Sequence, residues 1–400
     1  MITRRTLLQG LGAVSLADLG VALLPASASA QGPIKLGFFG PLTGRLSALG
    51  AEARRGAEFA IREFNDAGGL GGRKVELVVY DDRGDRKEAV SVVRKLVESD
   101  QVVAFDNGSL SLTSIAAAPA VNEAKVPMVV AYANAVGAVK GQEYVFRWCS
   151  VADVQGWVMA HHAVKTKGFK TFAMFVQDEE YGRGIANGVE RGIGKLGGKV
   201  AYKKLFSPGE KEFRAFLTEV KALNVDALCA SAFSGSLTAL CRQGWDLGVL
   251  PKAQFYGSCT MTEIDWFEGI GAAGEGAIGI LEFIQTAPDP GTAAFVQRWQ
   301  KAHNTSVVSH QAGLTYDATR LLLDAMKRGG PTPAGIHKAL RETKDFKNLS
   351  GVTVSFTELR EPLLPLAIGQ WDGKLKNFKL LEFATDPALI DPRPWYQYYK

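Results

Sequence analysis

The chain has 400 residues, 46% of them hydrophobic and 22% charged, with a formal net charge of +5. That balance excludes a disordered or low-complexity chain. So weak a basic bias, with acids and bases interspersed, gives no case for a nucleic-acid partner.

Residues 1–30 read as an export signal. Arg4 and Arg5 precede Leu7-Leu8, the apolar stretch runs to Leu24, Pro25 breaks it, and Ala28-Ser29-Ala30 supplies small residues for cleavage. Thr3-Arg4-Arg5-Thr6-Leu7-Leu8 resembles the twin-arginine pattern. Gly10, Gly12, Asp18 and Gly20 dilute the apolarity of a membrane span. The expectation is a chain cleaved near Ala30 and working in the periplasm.

From Ile34 onward, strand, loop and helix alternate. Strands are expected at 34–39, 75–80, 102–105 and 127–131, with helices at 51–65 and 87–98. In the helix over 51–65, Ala53, Ala57, Ala60, Ile61 and Phe64 fall at helical spacing, and Gly68-Gly69 stops it. A second series follows Arg147-Trp148-Cys149-Ser150: helices at 154–165, 184–196, 212–222 and 235–247, and strands at 171–176, 200–206, 227–232 and 254–256. Near 276–283 the pattern crosses back, helices follow at 293–302 and 315–328, and 352–356 with 365–370 read as a last pair of strands. The tail from Phe378, rich in Pro and aromatics, is expected to pack on the second unit. Strands separated by helices of ten to fifteen residues imply parallel sheets covered on both faces, and two sheets side by side leave a cleft between their strand ends.

The segment after the strand at 102–105 is the first candidate site. Asp106-Asn107-Gly108-Ser109-Leu110-Ser111-Leu112-Thr113-Ser114 is a hydroxyl-rich turn leading into an alanine-rich helix. Unpaired N–H groups and hydroxyls meet at such a place, which suits an anion. One hydroxyl is expected at any helix start, so a plain cap and a binding turn both satisfy the local pattern, although Ser109, Ser111, Thr113 and Ser114 exceed what capping needs. No general base is coded beside them, which favours holding a ligand over attacking one.

The four cysteines, Cys149, Cys229, Cys241 and Cys259, allow three full pairings and no choice among them. There is no CxxC, and no histidine stands at metal-ligand spacing from a cysteine. Gly269-Ile270-Gly271-Ala272-Ala273-Gly274 fits GxGxxG but follows a helix, so the dinucleotide context fails. Adjacent His161 and His162 face apart on a helix. His310 either borders the cleft or is an ordinary satisfied histidine. Asp178, Glu179 and Glu180 read as a solvated rim, and no GxSxG, HExxH or P-loop occurs.

The order of Gly40-Pro41-Leu42-Thr43-Gly44, Arg55-Gly56-Ala57-Glu58, Asn65-Asp66-Ala67-Gly68-Gly69-Leu70-Gly71-Gly72-Arg73, Asp81-Asp82, Ala117-Ala118-Pro119, Val126-Pro127-Met128 and Asp178 with Tyr181-Gly182 and Gly184 resembles the leucine/isoleucine/valine-type solute-binding proteins of ABC transporters. The resemblance covers nearly all of residues 33–380. It implies an α/β chain of two doubly wound parallel-sheet lobes joined by a three-strand hinge, the type I periplasmic binding fold. Residues 31–148 and 280–355 would form one lobe, and 149–279 and 356–400 the other. It also implies a monomer that is not an enzyme, uses no cofactor or metal, traps a small carboxylate by lobe closure and delivers it to permease subunits. A sensor domain docking on a signalling partner and an amidase-like enzyme in the same cleft are the alternatives. By the resemblance, Ser109, Ser111 and Thr113 hold the ligand carboxylate, Ser111 first among them. Asn134 with Tyr132 completes that grip, and Tyr181, Phe233 and Cys259 form the other wall. Arg147 is expected to brace the hinge.

Two departures bear on the ligand. Cys259 stands where amino-acid binders of the family place an acid for the ligand ammonium, and Leu49 replaces a tyrosine. A buried ammonium without a carboxylate is costly. The departures point to an acid lacking an α-amine, unless Glu263 or Asp265 supplies the charge by another route.

Overall fold

Apolar runs without alternation become parallel strands buried on both faces. The computed structural model describes residues 32–399, so the export-signal segment lies outside the described residues. Strands β1 (Ile34–Gly40), β2 (Val75–Asp81), β3 (Ala104–Asn107), β4 (Met128–Val130) and β5 (Val145–Arg147) form one parallel sheet in the order β2-β1-β3-β4-β5. A second sheet holds β6 (Thr171–Gln177), β7 (Lys199–Phe206), β8 (Ala227–Ser231), β9 (Gln254–Gly257) and β10 (Ile278–Leu281), parallel throughout. After a short ladder of β11 (Phe346–Lys347) with β12 (Thr353–Val354), β13 (Leu366–Asp372) and β14 (Asn377–Ala384) join the second sheet antiparallel beside β10. The chain therefore passes between the sheets three times: after β5, after β10 and before β13.

Two expectations need correction. Residues 365–370 do not pair with 352–356; they pair with 377–384, so the start of the supposed tail is a strand. β14 is an edge strand, Asn377–Ala384, in which only Phe378 and Ala384 are buried although five of its eight residues are apolar. The second sheet is accordingly mixed.

The helices are set by local rules. Helix α1 (Ser47–Asp66) buries Ala53, Ala57, Ala60 and Ile61 on one face and ends where Gly68 and Gly69 take positive φ. Asp85 accepts from the N–H groups of Lys87 (2.8 Å) and Glu88 (3.1 Å) to start α2 (Arg86–Glu98). Helix α3 (Ser111–Ala124) covers the first sheet. On the second lie α4 (Ala152–His161), α5 (Glu180–Lys195), α6 (Arg214–Leu223), α7 (Ser234–Asp246) and the short α8 (Ile264–Gly269). Helices α9 (Pro290–His303), α10 (His310–Gly329) and α11 (Pro333–Arg341) return to the first sheet, with α10 lying along α1. That approach needs Gly56, because a Cβ there would collide with the Ala312 carbonyl. The aromatic residues of the tail do pack on the second unit: Trp395 sits 6.1 Å from Trp157, and the Tyr399 hydroxyl donates to Asp153 at 2.6 Å.

Arg147, at the end of β5, is completely buried. Its Nε donates to Glu361 Oε2 at 2.7 Å, one terminal nitrogen to the Ala135 carbonyl at 2.7 Å and the other to the Ala133 carbonyl. Tyr396 donates to the other oxygen of Glu361. One guanidinium thus ties β5, the loop before residue 135, the third crossing and the tail. Removing one partner leaves an uncompensated buried charge. Glu361→Ala is expected to cost about 3–5 kcal/mol in urea denaturation, and a paired Arg147→Met, Glu361→Leu replacement should recover most of it.

Candidate functional site

The cleft residues sit mostly in the first turns of helices or just beyond strand ends, where capping fixes the backbone. Glu179 caps α5, accepting from Gly182 N (2.7 Å) and Tyr181 N (3.0 Å), so Tyr181 begins the helix facing the cleft. Ser309 caps α10 through Ala312 N (3.2 Å), which sets His310 and Gln311 in its first turn. Ser111 opens α3, and Phe233 precedes α7 with its N–H on Gln177 Oε1 at 3.3 Å.

These elements converge on one narrow space between the two sheets. Six of the eight residues expected from the sequence line it: Ser111, Tyr132, Asn134, Tyr181, Phe233 and Cys259. Tyr181 and Phe233 lie parallel, ring planes 5° apart and centroids at 6.0 Å, and form one wall with Cys259, whose sulfur is 3.3 Å from the Tyr181 hydroxyl. Tyr132 donates to the Gly108 carbonyl at 2.7 Å, and Ser111 Oγ accepts from Ala135 N at 3.2 Å. Leu49, the other departure, lines the same space. A wider space adjoins it, sharing Leu49, Phe233, Glu263 and Gln311.

Ser109 and Thr113 do not face this space. Ser109 donates to Asp82, and Thr113, whose oxygen lies 2.6 Å from Ser109 Oγ and 3.0 Å from the Leu110 carbonyl, shares its one proton between those two acceptors. The extra hydroxyls of the turn satisfy a buried acid: Asp82 is fully buried, accepts from Gly84 N at 2.8 Å, and its carboxyl is pushed up to about 6 by burial. Asp81-Asp82 looked like a turn signal, and nothing local in the sequence linked it to Ser109.

Of the two acids on the cleft side, the sequence offers Glu263 as an alternative source of charge and does not single out Glu282. Glu263, 3% exposed, lines the space four residues after Cys259. It accepts from Gln311 Nε2 at 2.9 Å and from Ser234 N at 3.3 Å, and burial pushes its carboxyl up to about 7. Glu282, just past β10, accepts through Oε1 from Asn134 Nδ2 (2.9 Å), Ser150 N (2.5 Å) and Ser150 Oγ (2.6 Å), and burial raises it likewise to about 7. An acid closing the apolar run Ile278–Leu281 was the one available signal. His310 is buried on the cleft wall, and desolvation lowers its pKa to about 3, so it stands neutral. All four cysteines are free and buried.

With this geometry in view, the family is plain. The profile of the periplasmic binding protein family matches residues 33–376, and the chain belongs to that family, in its branched-chain amino acid branch with the type I fold. It is 28% identical over 373 residues to the "Leucine-, isoleucine-, valine-, threonine-, and alanine-binding protein" of Pseudomonas aeruginosa, covering 90% of this chain and 92% of that one. A Leu/Ile/Val-binding protein homolog of Brucella melitensis is 27% identical over 360 residues, 88% of this chain and 96% of its own. Among solved structures, the isoleucine complex of the branched-chain amino acid binding protein LivJ of Streptococcus pneumoniae superposes with a TM-score of 0.80 at 25% identity, covering 88% of this chain and 98% of the other. A benzoate complex of a solute-binding protein from R. palustris has a TM-score of 0.79 at 21% identity, over 88% and 96% of the two chains, and shares the fold.

Burial of Glu263 has a measurable consequence. In the folded chain its carboxyl holds a proton up to about pH 7, whereas the unfolded chain releases it near 4.5. The folded state binds more protons in that window, so this group removes stability as pH rises through it. Glu263→Gln is therefore expected to gain stability relative to the unaltered chain as pH rises from about 4.5 to 7, read from denaturation midpoints across that range.

Proposed function

We propose that this chain captures a small amino acid with an apolar side chain between its lobes and presents it, closed, to the permease subunits of an ABC importer in the periplasm. The observation that carries the reading is the Glu263 carboxylate lining the same space as Ser111 and the Tyr181–Phe233 pair. It supplies a charge that Cys259, standing where amino-acid binders have an acid, does not. In this reading Ser111 and the free N–H groups opening α3 take the ligand carboxylate, Glu263 takes the ammonium, and the two aromatic rings cover the side chain. A ligand ammonium beside Glu263 holds it ionised and offsets its burial.

The work is conformational. Contacts from both sides of the cleft are complete only when it is shut, so the ligand shifts the balance toward the closed form by its differential affinity. The curated relatives are named as binding proteins, in line with a role without turnover.

Calorimetry with leucine, isoleucine, valine and alanine against benzoate and fatty acids tests the reading. The amino acids are expected to bind and the amine-free acids to be weak. Ser111→Ala should cost about 1.5–3 kcal/mol of binding, the worth of a hydrogen bond to a charge, and Glu263→Gln should weaken amino acids far more than amine-free acids. Tight benzoate binding with inert amino acids would overturn the reading in favour of an acid lacking an amine.

A further inference from the structure

Behind the cleft wall, three unlike side chains meet without a ligand-independent reason to do so. Cys259 lies in the turn after β9, Glu282 follows β10 directly, and His310 opens α10. The sulfur, a carboxylate oxygen and an imidazole nitrogen lie within 4.8 Å of one another. All three side chains are withdrawn from water, Cys259 and His310 at 1% exposure and the Glu282 side chain at 0%.

Two of their polar atoms have no partner within the protein, although the Cys259 sulfur meets the Tyr181 hydroxyl at 3.3 Å. Glu282 uses Oε1 for three donors, while Oε2 has no hydrogen-bond partner; His310 Nε2 is 3.3 Å from it but not aligned to donate. His310 Nδ1 is also without a partner. No lysine or arginine among the described residues pairs with Glu282. An unsatisfied buried polar atom ordinarily costs about 1–3 kcal/mol; Glu282 Oε2 is one such atom, and it lies 3.3 Å from His310 Nε2 in the same cluster as the Cys259 sulfur.

We propose that Cys259 Sγ, Glu282 Oε2 and the His310 imidazole bind one zinc-type divalent metal ion, leaving a fourth position open toward the cleft. Thiolate, imidazole and carboxylate together select zinc or cobalt over magnesium or calcium, which take oxygen ligands. As the metal–sulfur bond forms, the thiol proton leaves to solvent. Thiolate and carboxylate then balance the two positive charges, so the buried site is neutral. Tetrahedral coordination with bonds of about 2.1 Å sets ligand atoms about 3.4 Å apart; the His310–Glu282 separation of 3.3 Å already meets this. The hydrogen bonds from Asn134 and Ser150 hold the carboxylate in place, as outer-shell partners do. Cys259 and Glu282 come from adjacent strands of the second sheet, whereas α10 packs on α1 beside the first. The ion would therefore fasten the two halves together.

This inference does not rest on the identity of the organic ligand, and its test uses metal alone. Titrating the purified chain with cobalt(II) is expected to give one equivalent of binding and a thiolate-to-cobalt charge-transfer band in the near ultraviolet, displaced by zinc. Cys259→Ser should lose the band, and His310→Ala should weaken binding at least tenfold. Absence of the band from the unaltered chain overturns the proposal even if the variants fail to fold. A band of unchanged strength in folded Cys259→Ser overturns it as well.

Discussion

A single buried cation organises the cleft. Arg147 holds the carbonyls of Ala133 and Ala135, the residues on either side of Asn134, and is itself held by Glu361 from the third crossing. Between these held carbonyls, Asn134 donates through its amide to the Ser150 carbonyl and to Glu282. A lysine could not span these partners, because it lacks the planar fork that meets two carbonyls and a carboxylate together.

The cleft itself is an exercise in buried negative charge. Asp82, Glu263 and Glu282 are each raised by burial, and each is handled differently. Asp82 is quenched by Ser109 and a backbone N–H and belongs to the scaffold. Glu263 keeps a partial set of donors and faces the space a ligand would fill. Glu282 is saturated on one oxygen and bare on the other. The distinction between structural and ligand-facing acids thus lies in unspent hydrogen-bonding capacity, which no residue type reveals by itself.

That explains how much was legible in the sequence. The alternation of apolar runs and helical periodicity located β1, β2, β6, α1 and α2 to within a few residues, because each is set by local patterning. β5, only Val145–Arg147, was too short for a pattern, and α11 followed a proline that reads equally as a turn. The cleft-facing role of Ser111, Tyr132, Asn134, Tyr181, Phe233 and Cys259 came from the family resemblance, and the geometry gathers all six around one space. Ser109 and Thr113 share the same hydroxyl chemistry as Ser111, and only the buried Asp82 behind them separates scaffold from lining. Glu282 and His310 are brought together by a crossing between sheets, which sequence spacing does not encode.

The division of labour at the helix starts has an evolutionary consequence. Glu179 and Ser309 secure α5 and α10, while the neighbours that look into the cleft, Tyr181, His310 and Gln311, carry none of that burden. Substitution can thus alter what the receptor prefers without unravelling the segment that presents it, so descendants of one scaffold can diverge in diet while their architecture stays put.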